Sequence, residues 1–191
     1  MSTITIFGSG NMGGAIAGVL ARGGASIQHI VSGDTDATIE GDLVILAVPF
    51  GALETIAATY GEQLTGKTVV DISNPLNFET FDSLVVPVGS SAAAELQKAL
   101  PGAHVLKAFN TNFAATLAAG KVGTEPTTVL VAGDDADAKA ALINAVTAGG
   151  LAALDAGALA RAHELEAIGF LQLTLAASEK ISWTAGFAVV Q

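Results

Sequence analysis

The residues of this chain best suited to chemistry are three glycines in the string Gly8-Ser9-Gly10-Asn11-Met12-Gly13. A loop of this G-x-G-x-x-G spacing leaves backbone N–H groups free to point at an anion, provided a strand leads into it and a helix starts within it. Gly8 would permit the tight turn. Gly10 would let backbone approach a pyrophosphate with no Cβ in the way, and Gly13 would let the helix pack closely on the strand. The chain has 22 glycines, so spacing alone is weak and the flanking pattern decides. Thr3 to Phe7 reads as a β-branched strand ending at Gly8, and Met12, Ile16, Val19 and Leu20 recur at helical spacing over residues 11–22. Gly8, Ser9, Gly10, Asn11, Met12 and Gly13 are therefore expected to cradle the phosphates of a dinucleotide.

An acidic residue about 20 positions beyond such a loop would bind the ribose 2′-hydroxyl of NAD. Asp34 lies 21 residues after Gly13, just past a second strand expected at Ile27 to Val31. Its neighbours Ser32 and Thr35 could instead hydrogen-bond a 2′-phosphate, although no Arg or Lys occurs between Arg22 and Lys67 to neutralise one. NAD(H) and NADP(H) both stay open on these residues. Asp34 also suits a solvated turn in Gly33-Asp34-Thr35-Asp36.

Other reactive constellations are absent from the sequence. There is no Ser-His-Asp order, no H-E-x-x-H string and no P-loop lysine motif, which argues against hydrolysis, metal catalysis and phosphoryl transfer. Without cysteine there is no disulfide, thiolate nucleophile or zinc-thiolate site. His163, Glu164 and Glu166 lack a second histidine at zinc spacing and read as a polar helix face, so no metal is expected. His104 and Lys107 are the strand-borne candidates for a general acid. Lys107 is the better of the two, its alternative being an ammonium paired with a carboxylate at the sheet edge. His104 follows Pro101-Gly102-Ala103 and reads as a strand start.

The elements that must position these residues alternate along the chain. Leu43 to Val48, closed by Pro49, is a continuous apolar strand of the kind buried on both faces. The polar segment Ser32 to Asp42 is short for a crossover, so its helix is expected to shrink to a turn. A helix over residues 51–60, a strand over Lys67 to Ile72, a helix over Ser90 to Leu100 stopped by Pro101, and a strand over His104 to Lys107 follow. Thr127 to Ala132 is a sixth strand, and Asp134 to Thr147 a helix with Asp134 or Asp135 near its start. Leu151 to Asp155 is a seventh strand. The longest helix should run from Gly157 to about Lys180 with a stripe of Leu165, Ile168, Leu171 or Gln172, and Leu175. The alternation predicts an α/β fold, a doubly wound parallel sheet of the Rossmann type. One domain over residues 1–191, with a helical C-terminal segment from about 157, is expected.

Composition fits that picture. Half of the residues are hydrophobic, mostly Ala, Val and Leu, as in close-packed helices on a sheet. A formal net charge of −10 repels nucleic acid and anionic membranes, so neither is an expected partner. The apolar runs are too short for a membrane span, and the start Met1-Ser2-Thr3-Ile4-Thr5 reads as strand rather than leader, which points to a cytoplasmic protein.

Three further strings become informative beside the glycine loop: Asp42-Leu43-Val44-Ile45-Leu46-Ala47-Val48-Pro49, Val70-Asp71-Ile72-Ser73-Asn74-Pro75-Leu76 and Lys107-Ala108-Phe109-Asn110-Thr111. With Ala132-Gly133-Asp134-Asp135, Asp155-Ala156-Gly157 and His163-Glu164-Leu165-Glu166 they span most of the chain. Together they resemble the NADP oxidoreductases that use coenzyme F420 as hydride partner, with the ferric-reductase domain of the STEAP membrane proteins as a more distant relative. The resemblance implies a nicotinamide ring surrounded by Val48 and Pro49, Asn74 and Pro75, and Ala108, Phe109 and Asn110, with a deazaflavin stacked against it. Family members that favour NADP carry a basic residue after the second strand, where this chain has Gly33 and then Asp34.

Hydride transfer between two bound rings needs alignment and exclusion of water more than a proton donor. Asn74, Asn110 and Thr111 can hydrogen-bond a carboxamide or a substrate carbonyl, Lys107 can help to position it, and Pro49 and Phe109 can wall the ring. Phe170, Trp183 and Phe187 suit a cover over the substrate face, a contact between two copies of the chain, or core packing. The expected activity is thus an NAD(P)-dependent oxidoreductase with a small-molecule acceptor, F420 or a flavin. Two alternatives remain: a non-catalytic dinucleotide sensor, and an imine reductase resembling pyrroline-5-carboxylate reductase. The latter family appends a helical domain for which this chain is expected to have too little sequence.

Overall fold

Strand β1 (Thr3–Phe7) feeds directly into the glycine turn, and helix α1 (Asn11–Arg22) leaves it. They belong to a computed structural model that describes residues 2–34 and 36–190; Met1, Thr35 and Gln191 lie outside it, and with Thr35 one of the two hydroxyls considered for a 2′-phosphate. Strands β2 (Ser26–Ile30) and β3 (Leu43–Leu46) pair with β1 in parallel, one on each side. The chain therefore reverses direction across the sheet between β1 and β3. At that switch point the carboxyl ends of neighbouring strands part to leave a crevice.

The link from β2 to β3 forms no helix among its described residues. Too polar to bury one face, it finds side-chain partners for its backbone instead. Gln28 donates to the Thr38 carbonyl at 2.8 Å and accepts from the Glu40 N–H at 3.1 Å, while Gln63 accepts from the Ile39 N–H at 2.9 Å. The Tyr60 hydroxyl donates to the Asp34 carbonyl at 2.6 Å.

Past a short 3-10 turn at Phe50–Ala52 come α2 (Leu53–Leu64), β4 (Thr68–Asp71), α3 (Ala92–Ala99) and β5 (His104–Lys107). Then follow α4 (Ala114–Ala119), the two-residue strands β6 (Lys121–Val122) and β7 (Glu125–Pro126), β8 (Thr128–Gly133), α5 (Ala136–Ala148) and β9 (Ala152–Gly157). The seven-stranded sheet has the order β2-β1-β3-β4-β5-β8-β9. Side chains alternate between its faces. Ile4, Ile6, Ile45, Val70 and Leu106 pack against α1, α4 and α5, whereas Phe7, Val44, Leu46, Val69 and Val105 pack against α2 and α3.

The expected doubly wound α/β sheet is present, with two differences in detail. The sheet is mostly parallel, but β8 runs antiparallel to β5. Helix α4, about 9 Å long at 1.5 Å per residue, is too short to carry the chain back to the far end of the sheet. Asn112 donates to the Thr128 carbonyl and Thr127 to the Thr116 carbonyl, so β8 starts near the end where β5 stops. The long helix α6 (Ala162–Ala177), entered through a 3-10 turn at Leu159–Arg161, also differs. Its buried residues include Leu165, Glu166, Gly169 and Gln172, while Ile168 and Leu171 of the expected apolar stripe are exposed. This helix seats on the polar strand ends around Asn74, Asn110 and Thr111 rather than on an apolar sheet face, so its inner side carries hydrogen-bonding groups.

Candidate active site at the strand ends

The three glycines of the loop do different work. Gly8 has φ +96°, and a Cβ there would collide with the Ala47 carbonyl just past the end of β3, so the turn itself demands glycine. A Cβ on Gly13 would lie 2.6 Å from the Gly8 carbonyl oxygen. Gly10 is unlike both: its φ of −69° suits any residue, and nothing lies within 4 Å of a Cβ placed on it. The protein's own packing leaves Gly10 free, so the space above it is open to a ligand. Gly10 caps α1 without a side-chain hydrogen bond and no acidic residue occupies the first turn, which leaves the positive helix end uncompensated. The His29 Nδ1 lies 3.0 Å from the Gly8 carbonyl oxygen and steadies the turn, a contact that strand patterning alone did not reveal.

Two cavities flank this loop and share Ser9 and Gly10. One, of about 740 Å³, opens toward α2 and is lined by Gly8, Ser32, Asp34, Val48, Pro49 and Tyr60 among others. The other, of about 990 Å³, lies between α1, α4 and α6 and is lined by Asn11, Met12, Asn74, Asn110, Phe113 and Trp183 among others. Each is large enough for half of a dinucleotide or for a flat ring. Asp34 folds back on the end of β2, its Oδ2 accepting the Val31 N–H at 2.9 Å. Val48 and Pro49 share the cavity of Asp34, whereas Asn74 and Asn110 line the other. The two sets stand at the ends of the neighbouring paired strands β3, β4 and β5, on either side of the loop that both cavities share.

Phe109 does not form a wall. It has φ +62° and is fully buried in the core beside Leu106 and Leu117, because the left-handed backbone turns its ring inward. Ala108 and Pro75 are buried too and line neither cavity. The aromatic wall is made by Phe113 and Trp183, with ring centroids 5.1 Å apart. Phe113 caps α4, an element absent from the sequence reading; the available signal was the alanine-rich run closed by Gly120, which adopts φ +71°. Phe170 is half-buried, and Phe187 is exposed with its N–H donating to Gln172 at 3.0 Å.

Asn74 and Asn110 are bound to each other. The Asn110 side-chain amide donates to Asn74 Oδ1 at 2.9 Å and to the Leu165 carbonyl at 2.8 Å, while the Asn74 amide donates to the Asn110 carbonyl at 2.9 Å. The Thr111 carbonyl accepts from Gln172 at 3.2 Å. Beneath the pair lies a buried ionic cluster. Lys107 sits on an inner strand, not a sheet edge, with no solvent exposure, and its ammonium meets Asp71 and Glu166 at 2.8 Å each and also donates to the Ser73 carbonyl. It lines neither cavity, which removes it from direct contact with the cleft.

Glu166 corrects a second reading, since it is fully buried rather than part of a solvated face. Its carboxylate accepts the N–H groups of Ala92 and Ala93 at the start of α3, at 3.0 and 3.4 Å. Burial pushes its carboxyl above the usual range, against the pull of Lys107. His163 and Glu164 are exposed, His163 near the Ser90 carbonyl and Glu164 paired with Arg161 at 3.0 Å. His104 opens β5 and lies 3.2 Å from Asp135. Among the described residues no three His, Cys, Asp or Glu side chains are grouped to hold a metal ion.

A Rossmann sheet with an uncapped glycine-rich helix start, flanked by two cavities at the strand ends, defines the class: an NAD(P)-dependent oxidoreductase. No protein-family model matches the chain. It is 31% identical over 154 residues to the F420-dependent NADP reductase of Methanocaldococcus jannaschii, covering 78% of this chain and 69% of that protein. The chain belongs to the family of F420-dependent NADP reductases. It is also 36% identical over 126 residues to the metalloreductase STEAP3 of Rattus norvegicus, a match that spans 65% of this chain but only 24% of STEAP3. The crystal structure of a candidate F420-dependent NADP-reductase from Arthrobacter sp. FB24 superposes with a TM-score of 0.87 over the whole of both chains at 22% identity, a likeness of fold.

Proposed function

We propose that the protein moves hydride between NADP(H) or NAD(H) and a deazaflavin, coenzyme F420, or a related flavin-like ring. The observation that carries this reading is the pair of cavities joined at Ser9 and Gly10. A pyrophosphate seated on the first turn of α1 would send one nucleoside toward Ser32 and Asp34 and the other toward Asn74 and Asn110. The reduced dinucleotide supplies a hydride, which with one proton from solvent converts an oxidised deazaflavin into its dihydro form. Gly10 leaves room for the phosphates, and the first-turn N–H groups of α1 would donate hydrogen bonds to them. Asn74 offers polar edges to a carboxamide, while Phe113 and Trp183 present flat apolar faces for ring stacking.

A cytoplasmic location and a small-molecule acceptor, rather than nucleic acid or a membrane, belong to the same proposal. The net charge of −10 weighs against nucleic acid and anionic membranes as partners, and among the described residues no helix is long and apolar enough to cross a membrane.

A direct test mixes purified protein and NADPH or NADH with oxidised F420, FMN, FAD or ferric chelates and follows absorbance at the nicotinamide band. Rapid oxidation with F420 is expected. Tight dinucleotide binding without oxidation by any of these acceptors would favour a sensor and sink the reductase reading.

Cofactor choice yields a separate expectation. Gly33 is exposed, beside Ser32 and Asp34 in the β2 to β3 link, and nothing lies within 4 Å of a Cβ placed on it. Gly33→Arg can therefore extend a guanidinium toward a 2′-phosphate without disturbing the fold. One charge-assisted contact of about 1.5–3 kcal/mol should strengthen NADP+ binding by about ten- to a hundredfold while leaving NAD+ nearly unchanged. Calorimetric titration of both nucleotides checks this, and equal gains for the two would misplace the phosphate.

A further inference from the structure

We propose that Glu166 is a positioning residue for hydride transfer, acting through Lys107 and helix α6 on the Asn74–Asn110 pair. The inference rests on the function proposed above. Glu166 touches neither cavity, yet two connections, one through Lys107 and one through its own helix, lead from it to the asparagines, while its bonds to the start of α3 anchor it.

The first connection runs through Lys107. Its ammonium donates to the Ser73 carbonyl, and Asp71 Oδ1 accepts the Ser73 N–H at 2.8 Å. Both backbone groups of the residue preceding Asn74 are thus gripped by side chains from β5 and β4. By drawing Lys107 from the α6 side at 2.8 Å, Glu166 helps to fix where that grip is made.

The second connection is the helix itself. Leu165, next to Glu166, supplies the carbonyl that receives the Asn110 amide at 2.8 Å. Nearly one turn further on, Gly169 lies so close to the pair that a Cβ would overlap Asn74 Oδ1 and stand 2.9 Å from the Asn110 carbonyl oxygen. The depth at which α6 docks therefore fixes the asparagine pair, and Glu166 pins that depth to Lys107 and to the start of α3.

Stability alone gives little reason for such a cluster. Two carboxylates around one ammonium are costly to desolvate, and well-packed apolar side chains commonly serve as well. What an ionic node adds is fixed direction, joining β4, β5, α3 and α6 at one point. The glycine loop stands outside this network, so dinucleotide affinity and ring alignment should respond separately to its loss.

The test is a double-mutant cycle with Glu166→Gln and Asn74→Ala, read by stopped-flow single-turnover hydride transfer from NADPH to oxidised F420, with NADP+ affinity measured by calorimetry. Glu166→Gln keeps the side-chain volume and the Lys107–Asp71 pair, so the variant should fold. It is expected to slow hydride transfer by about tenfold or more, since small misplacements of reacting groups are costly. NADP+ affinity should stay within about twofold, and in the Asn74→Ala background the same change should slow transfer by less than about twofold, because the two residues act as a unit. Losses that multiply independently, or an unchanged rate in Glu166→Gln, would overturn the proposal.

A readout independent of turnover separates this from failure of the reductase reading. In Glu166→Gln the side-chain amide NMR signals of Asn74 and Asn110 should move while the first-turn amides of α1 stay in place. If the parent protein binds NADP+ but reduces no acceptor, the functional reading falls and these signals alone decide the linkage. Unmoved asparagine signals would refute it.

Discussion

A Gly10→Val variant is expected to melt as the parent does and to lose dinucleotide affinity by about a hundredfold or more. The two halves of that result have different causes. Gly10 occupies an extended conformation, φ −69° and ψ −171°, that valine adopts readily, and no atom lies within 4 Å of its Cβ position. The isopropyl group would instead fill the space through which a pyrophosphate reaches the first-turn amides of α1. Losing two charge-assisted hydrogen bonds at about 1.5–3 kcal/mol each accounts for the predicted drop. Gly8→Val makes the contrast, because its positive φ and the Ala47 carbonyl penalise any side chain in the folded chain itself. Thermal melts with calorimetric titration of NADP+ and NAD+ read the two effects independently. Near-parental affinity in Gly10→Val would remove the phosphates from this loop.

The features legible in the sequence were those written locally. The β1–Gly8–α1 unit, the strand His104–Lys107 and the helix-starting Asp135 each combine a hydrophobic period with a punctuating residue, and each stands where that pattern puts it. Strand direction is not written this way. An inner strand buried on both faces has the same apolar run whichever way it points, so β8 gave no warning of its reversal. Helix α4 is short, rich in alanine and held by packing against α1, beyond the reach of a periodicity argument over six residues.

The cleft was legible in its inventory more than in its arrangement. The family resemblance, in agreement with expected strand ends, picked out Asn74 and Asn110, but Phe109 next door is turned into the core by a backbone conformation that its residue type does not suggest. Glu166 was assigned to solvent because helix-face reasoning sends carboxylates outward unless a partner is known. Its partners, Lys107 and the first amides of α3, lie on other elements and meet it only after folding.

That partnership gives the second large effect: Lys107→Met should cost about 3–5 kcal/mol of stability at neutral pH, because it strands two buried carboxylates without their cation. The loss should depend on pH in a definite direction. Burial already raises the Glu166 carboxyl in the folded protein above the ordinary value of 4.5. Between 4.5 and that raised folded value the native state holds more protons than the unfolded chain, so stability falls as pH rises through this window. Below it, Glu166 is protonated in both states and its charge no longer matters. Removing Lys107 takes away the attraction that opposes the upward shift, so the variant's deficit should grow from weakly acidic toward neutral pH. Adding Glu166→Gln should return part of the loss by deleting one stranded charge, while Asp71 keeps its bond to the Ser73 N–H. Urea unfolding of the parent, the single and the double variant at pH 5 and pH 8 measures all three quantities. A deficit equal at both pH values and untouched by Glu166→Gln would mean that Lys107 serves the fold by the bulk of its methylenes, leaving the charge without a role.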